Sequence, residues 1–116
     1  MNLKTCYEAL GGDYESVLGR LRTERMITKF ALKFLDDASW QTLTAAIAQK
    51  NGEEAFRAAH TMKGICQNLS FDRLYRSSSA LAECLRGGWD DAAVALTEQV
   101  KADYQATTEA IRQLEA

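Results

Sequence analysis

His60, Lys63, Gly64 and Gln67 are separated by three, one and three residues, which is the spacing of neighbours on one helical face. His60 is the single histidine of the chain. At about 100° per residue, Ala55, Ala59, Met62, Cys66 and Leu69 form one continuous apolar stripe. His60 projects roughly 130° or more from the centre of that stripe. A structural histidine belongs on or beside the stripe, so this one is expected to face solvent. An ammonium follows one turn later, and Gly64 leaves the face bare beyond the ring.

The chemistry open to such a face is narrow. A general acid or base needs a nucleophile or a partner carboxylate nearby, and residues 56–69 contain no Asp or Glu. A cysteine–histidine pair would have to use Cys66, which lies on the buried stripe. A metal centre needs more ligands than one His and a Lys. What remains is the imidazole as its own nucleophile. Its attacking nitrogen must carry a lone pair, so the ring must be neutral when it attacks. After phosphoryl attachment, Lys63 can offset the added negative charge and Gln67 can donate an amide hydrogen bond to a phosphate oxygen.

The rest of the chain has to position this face. Proline is absent and Ala, Leu, Glu, Lys, Arg and Gln outnumber Val and Ile, a mixture that favours long helices over strands. Leu3, Cys6, Tyr7 and Leu10 predict a short helix that Gly11-Gly12 stops. Asp13 caps a second, carrying Val17, Leu18 and Leu21. Thr23 caps a third, with Met26, Ile27, Phe30, Ala31 and Phe34 as its apolar side. Asp36-Asp37 is the expected break before Trp40, Leu43 and Ile47 resume the pattern.

Lys50-Asn51-Gly52 is a turn, and Asn51 with Glu54 makes a capping box ahead of the histidine helix at 53–69. That helix has no glycine at its end. The phase stops it: Leu69 closes one stripe and Leu74, Ser78, Leu81, Ala82 and Leu85 open another. Gly87-Gly88 ends this helix, and Asp90 and Asp91 suit the start of the last. Ala93, Leu96, Val100, Thr107, Ile111 and Leu114 give the last helix a bundle seam. Trp40 and Trp89 are assigned to packing near helix ends.

These elements predict an all-α fold, an up-and-down antiparallel four-helix bundle with one or two short extra N-terminal helices. One domain over residues 1–116 is expected, with a lead-in at 1–22 and a bundle core at 24–114. A net charge of −2 with interspersed signs gives no footprint for nucleic acid. Cys6, Cys66 and Cys84 form no CxxC pair, so free thiols are expected. The chain shows no membrane-length apolar run and no signal peptide, so a soluble, cytoplasmic protein is expected. Met1, close to the first helix, suggests a free-standing protein, with a fragment of a larger sensor kinase as the alternative.

The run Ala59-His60-Thr61-Met62-Lys63-Gly64, followed by Gln67-Asn68-Leu69, resembles the histidine-containing phosphotransfer (HPt) domain. That family's pattern is His-x-x-Lys-Gly, preceded by small or apolar residues and followed by a polar residue, an Asn or Ser, and an apolar residue. The likeness covers about residues 24–114 and leaves the first two helices outside the common core. It implies a four-helix bundle whose second core helix exposes His60 as a phosphoacceptor, carrying the group on Nε2. Lys63 and Gln67 are then the phosphate-side polar groups and Gly64 gives access.

Further expectations follow from the same likeness. The partners are a response-regulator receiver domain, which exchanges the phosphoryl group through its aspartate and holds Mg²⁺ in its own acidic pocket, and a sensor histidine kinase, simple or hybrid. No cofactor or metal belongs to this chain, which is expected to be a monomeric phosphocarrier in a histidine–aspartate phosphorelay and not a turnover enzyme. Beyond the motif, the phase of Phe56, one turn before His60 and nearly on its face, leaves two uses: a ring folded down against a neighbouring helix, or an apolar docking edge with Gln67, Asn68 and Arg73 as its polar rim. The family usually has glycine where this chain has Ser70. Two other functions compete: a helical adapter that binds a receiver or kinase domain without carrying phosphate, and an enzyme using His60 as general base.

Overall fold

Asn2, Asp13, Thr23 and Asn51 each accept a hydrogen bond from the backbone N–H three residues on, and a helix starts after each. The structure, a computed structural model, describes residues 1–114. The last two residues of the expected domain lie outside them. Among the described residues there are seven helices and no strand: α1 (Leu3–Leu10), α2 (Tyr14–Leu21), α3 (Glu24–Phe34), α4 (Ser39–Ala48), α5 (Gly52–Leu69), α6 (Asp72–Leu85) and α7 (Ala92–Arg112).

Short connections make consecutive long helices antiparallel neighbours. Helix α5 packs between α4 and α6, α6 packs on α7, and α7 closes the bundle against α3 and α4. The fold is thus all-α and bundle-shaped, as the apolar periodicity predicts. The seam residues Leu43, Ala55, Ala59, Met62, Cys66, Leu74, Leu81, Leu85, Val100 and Ile111 are buried. Each fully buried Leu, Ile or Met contributes about 1.5–3 kcal/mol of transfer free energy.

The break at Asp36-Asp37 is real. Helix α3 ends in turns from Lys33 to Asp36 and Phe34 to Asp37. The Asp37 carboxylate then accepts from the Ser39 N–H at 2.8 Å and opens α4. Helices α3 and α4 together serve as the first bundle arm.

Three local expectations need correction. Met26, placed on the α3 stripe, is 38% exposed. It sits in the first turn of a helix that packs only lightly on α2, α5 and α7, so only Ile27, Ala31 and Phe34 reach the interior. The Asn51–Glu54 capping box is half formed: Asn51 Oδ1 accepts from Glu54 N at 3.2 Å, while the Glu54 carboxylate turns to Arg57. Helix α5 also begins one residue early, at Gly52, whose missing side chain lets the Gly88–Trp89 backbone pass against it. At the start of α7 the two aspartates divide: Asp90 accepts from Ala92 N at 2.9 Å, and Asp91 accepts from Trp89 Nε1 at 2.9 Å.

The lead-in is built into the core. Leu3, Cys6, Tyr7 and Leu10 are all buried, and α1 lies on α7, where Cys6 Sγ donates to the Ala110 carbonyl. Burial pushes the Cys6 thiol up to about 11. All three cysteines are free thiols.

The same lead-in clamps the far end of α5. Tyr7 Oη donates to the Leu69 carbonyl at 2.7 Å, and Arg20 Nη1 donates to the Asn68 carbonyl at 2.6 Å and to Ser70 Oγ at 3.1 Å. Asp13 N–H donates to the Ser70 carbonyl at 2.9 Å. These are carbonyls that a helix end leaves without partners. Ser70 sits at φ 55°, ψ 39°, a left-handed position of the kind that favours glycine. Phe71 N–H to the Cys66 carbonyl at 2.9 Å completes a Schellman motif around it.

Two opposing quantities meet at Ser70. A Cβ in the left-handed region costs about 1–2 kcal/mol, and the hydroxyl's bond to a charged guanidinium returns about 1.5–3 kcal/mol. Ser70→Gly should therefore unfold within about 1 kcal/mol of the wild type, since it relieves one and loses the other. Ser70→Ala keeps the strain and loses the bond, and should be less stable by about 1–3 kcal/mol in denaturant unfolding. Equal stability of Ser70→Ala and wild type would remove the Arg20 contact from the account.

Candidate functional site

Helix α5 buries Ala55, Ala58, Ala59, Met62, Cys66 and Leu69, and this fixes its rotation. His60, Gly64, Gln67 and Asn68 are exposed as a result, and Lys63 and Phe56 are half-buried. The apolar phase alone therefore delivers the imidazole to the surface. Cys66 is fully buried, and desolvation pushes its thiol far above the ordinary cysteine range. A thiolate–imidazole pair is excluded on both counts.

Gly64 opens the face. Among the described residues, nothing lies within 4 Å of where its Cβ would stand. Its glycine is not demanded by packing, and no positive φ is involved. A bare helix surface one turn from the imidazole remains.

Phe56 does two things at once. Its ring packs on the hydrophobic core, and it also stacks on His60, with centroids 5.7 Å apart and planes 23° from parallel. On the same ring lies the guanidinium of Arg86, the residue that caps the C-terminus of α6, with Cζ 5.4 Å from the centroid. Arg86 Nε in turn donates to both Glu83 carboxylate oxygens, at 3.2 and 2.8 Å. The Arg86 hydrogen bond and charge hold the Glu83 carboxyl below its usual range, and Lys63 adds to this from α5.

Glu83 and Arg86 are the residues that the sequence reading missed. They stand on a different helix, so no motif around His60 contains them. A register count offers the signal: Phe56 lies fourteen residues before the Ser70 turn and Arg86 sixteen after it, so antiparallel helices of equal rise bring them level.

Gln67 and Asn68 lie further along α5. Asn68 borders a groove of about 240 Å³ formed with Phe30, Lys33, Phe34 and Ile65, on the α3 side of the helix. Arg73 does not join this face. Its backbone N–H donates to the Gly11 carbonyl at 3.1 Å, and its guanidinium packs on Gly11, beside the lead-in. Among the described residues no three His, Cys, Asp or Glu side chains gather in a metal-binding cluster, and no helix is long and apolar enough to cross a membrane.

An exposed histidine, a cation one turn on and an open glycine on the second arm of a helical bundle are accompanied by a sequence match. The family model of the Hpt domain matches residues 33–115. The chain belongs to the Hpt domain family. Hpt domains carry phosphoryl groups in histidine–aspartate phosphorelays, as phosphocarriers and not turnover enzymes, and interact there with receiver domains and kinases. The match starts within α3, so α1, α2 and most of α3 precede the Hpt-matched region. No curated protein and no solved structure matches this Hpt chain significantly.

Proposed function

We propose that this Hpt domain carries its phosphoryl group on His60 and exchanges it with the aspartate of a response-regulator receiver. The observation that supports this most is the placement of the chain's single histidine: exposed on α5, with Gly64 leaving open space beside it. The lone pair of His60 Nε2, the ring nitrogen remote from the backbone, attacks phosphorus in line. The P–O bond to the receiver aspartate breaks, and its electron pair leaves with the carboxylate. Transfer back to a receiver reverses these bonds.

Lys63 offsets the charge of the bound phosphoryl group, and Gln67 donates to one of its oxygens. Asn68 and the groove beside it form part of the docking surface, and Gly64 admits the receiver's pocket. The metal and the acidic site are the receiver's, and this chain supplies no metal ligand. A sensor histidine kinase, simple or hybrid, stands at the other end of the relay. The protein acts as a monomer in the cytoplasm, and 1–116 is one domain.

The test is transfer from an isolated phosphoreceiver. Phosphate should appear on this protein within a stoichiometric limit of one, stable in alkali and labile in acid, as expected of a phosphoramidate bond. Acid-stable phosphate, or a receiver that binds with no transfer, would favour the adapter instead.

A further inference from the structure

Taking His60 as the phosphoacceptor, we infer that Phe56, Arg86 and Glu83 form a positioning stack that sets the plane of its imidazole. An exposed ring on a helix swings between rotamers, while in-line transfer needs the attacking lone pair on one line with the P–O bond. Something has to narrow the ring's choices. Helix α5 itself offers only Phe56, one turn earlier, and it does so by offset stacking at a separation typical of stable aromatic pairs.

Phe56 must then be held in turn. Its inner edge rests on the core, and its ring takes the Arg86 guanidinium at cation–π distance. Arg86 has a long, flexible side chain that would otherwise wander. Glu83, one turn before it on α6, fixes Nε through both carboxylate oxygens. The order is Glu83, Arg86, Phe56, His60, and each member touches the next. Arg86 acts on the imidazole through Phe56, and Glu83 acts through Arg86. The stack also ties the ring to α6, so that the imidazole is referenced to two helices of the bundle.

The links are unequal. The aromatic pair is worth a factor of roughly three to ten, and the exposed cation–π contact and ion pair about two to four each. Phe56→Leu should slow transfer from a phosphoreceiver by about tenfold, Arg86→Gln by about threefold, and Phe56→Tyr should retain most of the rate.

The decisive readout is the NMR of the His60 ring protons in the unphosphorylated protein. Phe56→Leu should move both toward random-coil positions, as the ring current of Phe56 is lost. Arg86→Gln and Glu83→Gln, which are surface changes that leave the fold intact, should move them part of the way in the same direction. Phe56→Leu combined with Arg86→Gln should transfer no more slowly than Phe56→Leu alone. His60 signals unmoved by Arg86→Gln, or additive losses in the double variant, would overturn the stack, because Arg86 would then be touching phosphate or partner directly. These signals are read without phosphate, so a failure of the phosphoacceptor assignment leaves them standing and a failure of the stack leaves that assignment standing.

Discussion

His60→Gln should abolish phosphate uptake and leave the bundle folded. The amide of Gln has no lone pair basic enough to attack phosphorus, and the chain has no second imidazole to take over. Residual transfer should fall by at least about 10³-fold, the order seen when a nucleophile is removed from a site that otherwise persists. Stability should change by no more than about 0.5 kcal/mol, because the side chain is exposed and its one defined neighbour, Phe56, still rests on the core. Rapid-quench assays with a phosphoreceiver and a denaturant melt of the same variant measure the two sides. Lys63→Ala provides the contrast: it should still accept phosphate, at a rate lowered by about tenfold or less, because a cation that offsets charge assists the step without forming the bond. Labelled phosphate persisting on His60→Gln would sink the assignment of His60.

The parts of this molecule that were legible in the sequence are those governed by helical phase. The stripe from Ala55 to Leu69 is buried and His60 lies outside it. The caps at Asp13, Thr23 and Asn51 hold because a short polar side chain before an apolar-periodic run has one favourable use. Gly11 at φ 74° ends α1 for an equally local reason. Even the break at Asp36-Asp37 needs only neighbouring groups.

Contacts between helices were not legible in the same way. Arg20 reaching Asn68 and Ser70 spans about fifty positions, and no local pattern encodes it. Ser70 holds the left-handed turn after the histidine helix with Arg20, Tyr7 and Asp13 coming in from the lead-in. The serine at this turn and the extension before the Hpt-matched region are thus one feature of the fold. Arg73 shows the converse: as a charged residue three after Ser70 it fitted a docking rim, yet Gly11 supplies a bare surface for its guanidinium on the other side. Phe56 was divisible by phase into two uses, core or surface. It serves both because an aromatic ring is wide enough to touch the core with one edge and His60 with a face.

Gly64 is where stability and function should separate most widely. A glycine inside a helix costs about 0.5–1 kcal/mol relative to alanine, and in α5 no close packing or backbone twist requires it. Gly64→Ala should therefore melt higher, by roughly 2–4 °C for a domain of this size. Gly64→Leu should fold at least as well as the wild type, since its side chain enters open space. Transfer from a phosphoreceiver should nevertheless fall by about 10²-fold in Gly64→Leu, because the added bulk stands beside His60 and holds the incoming phosphorus off line, and misplacement by about an ångström costs that much. Phosphorylation by a small donor such as phosphoramidate should change by less than about threefold, since such a molecule can approach the imidazole without covering the helix. Only obstruction of a macromolecular partner gives this combination of a stable bundle, an imidazole still open to a small donor and a blocked receiver. Receiver transfer at the wild-type rate in Gly64→Leu would show that the partner approaches His60 from another side, and would move the docking surface off this part of α5.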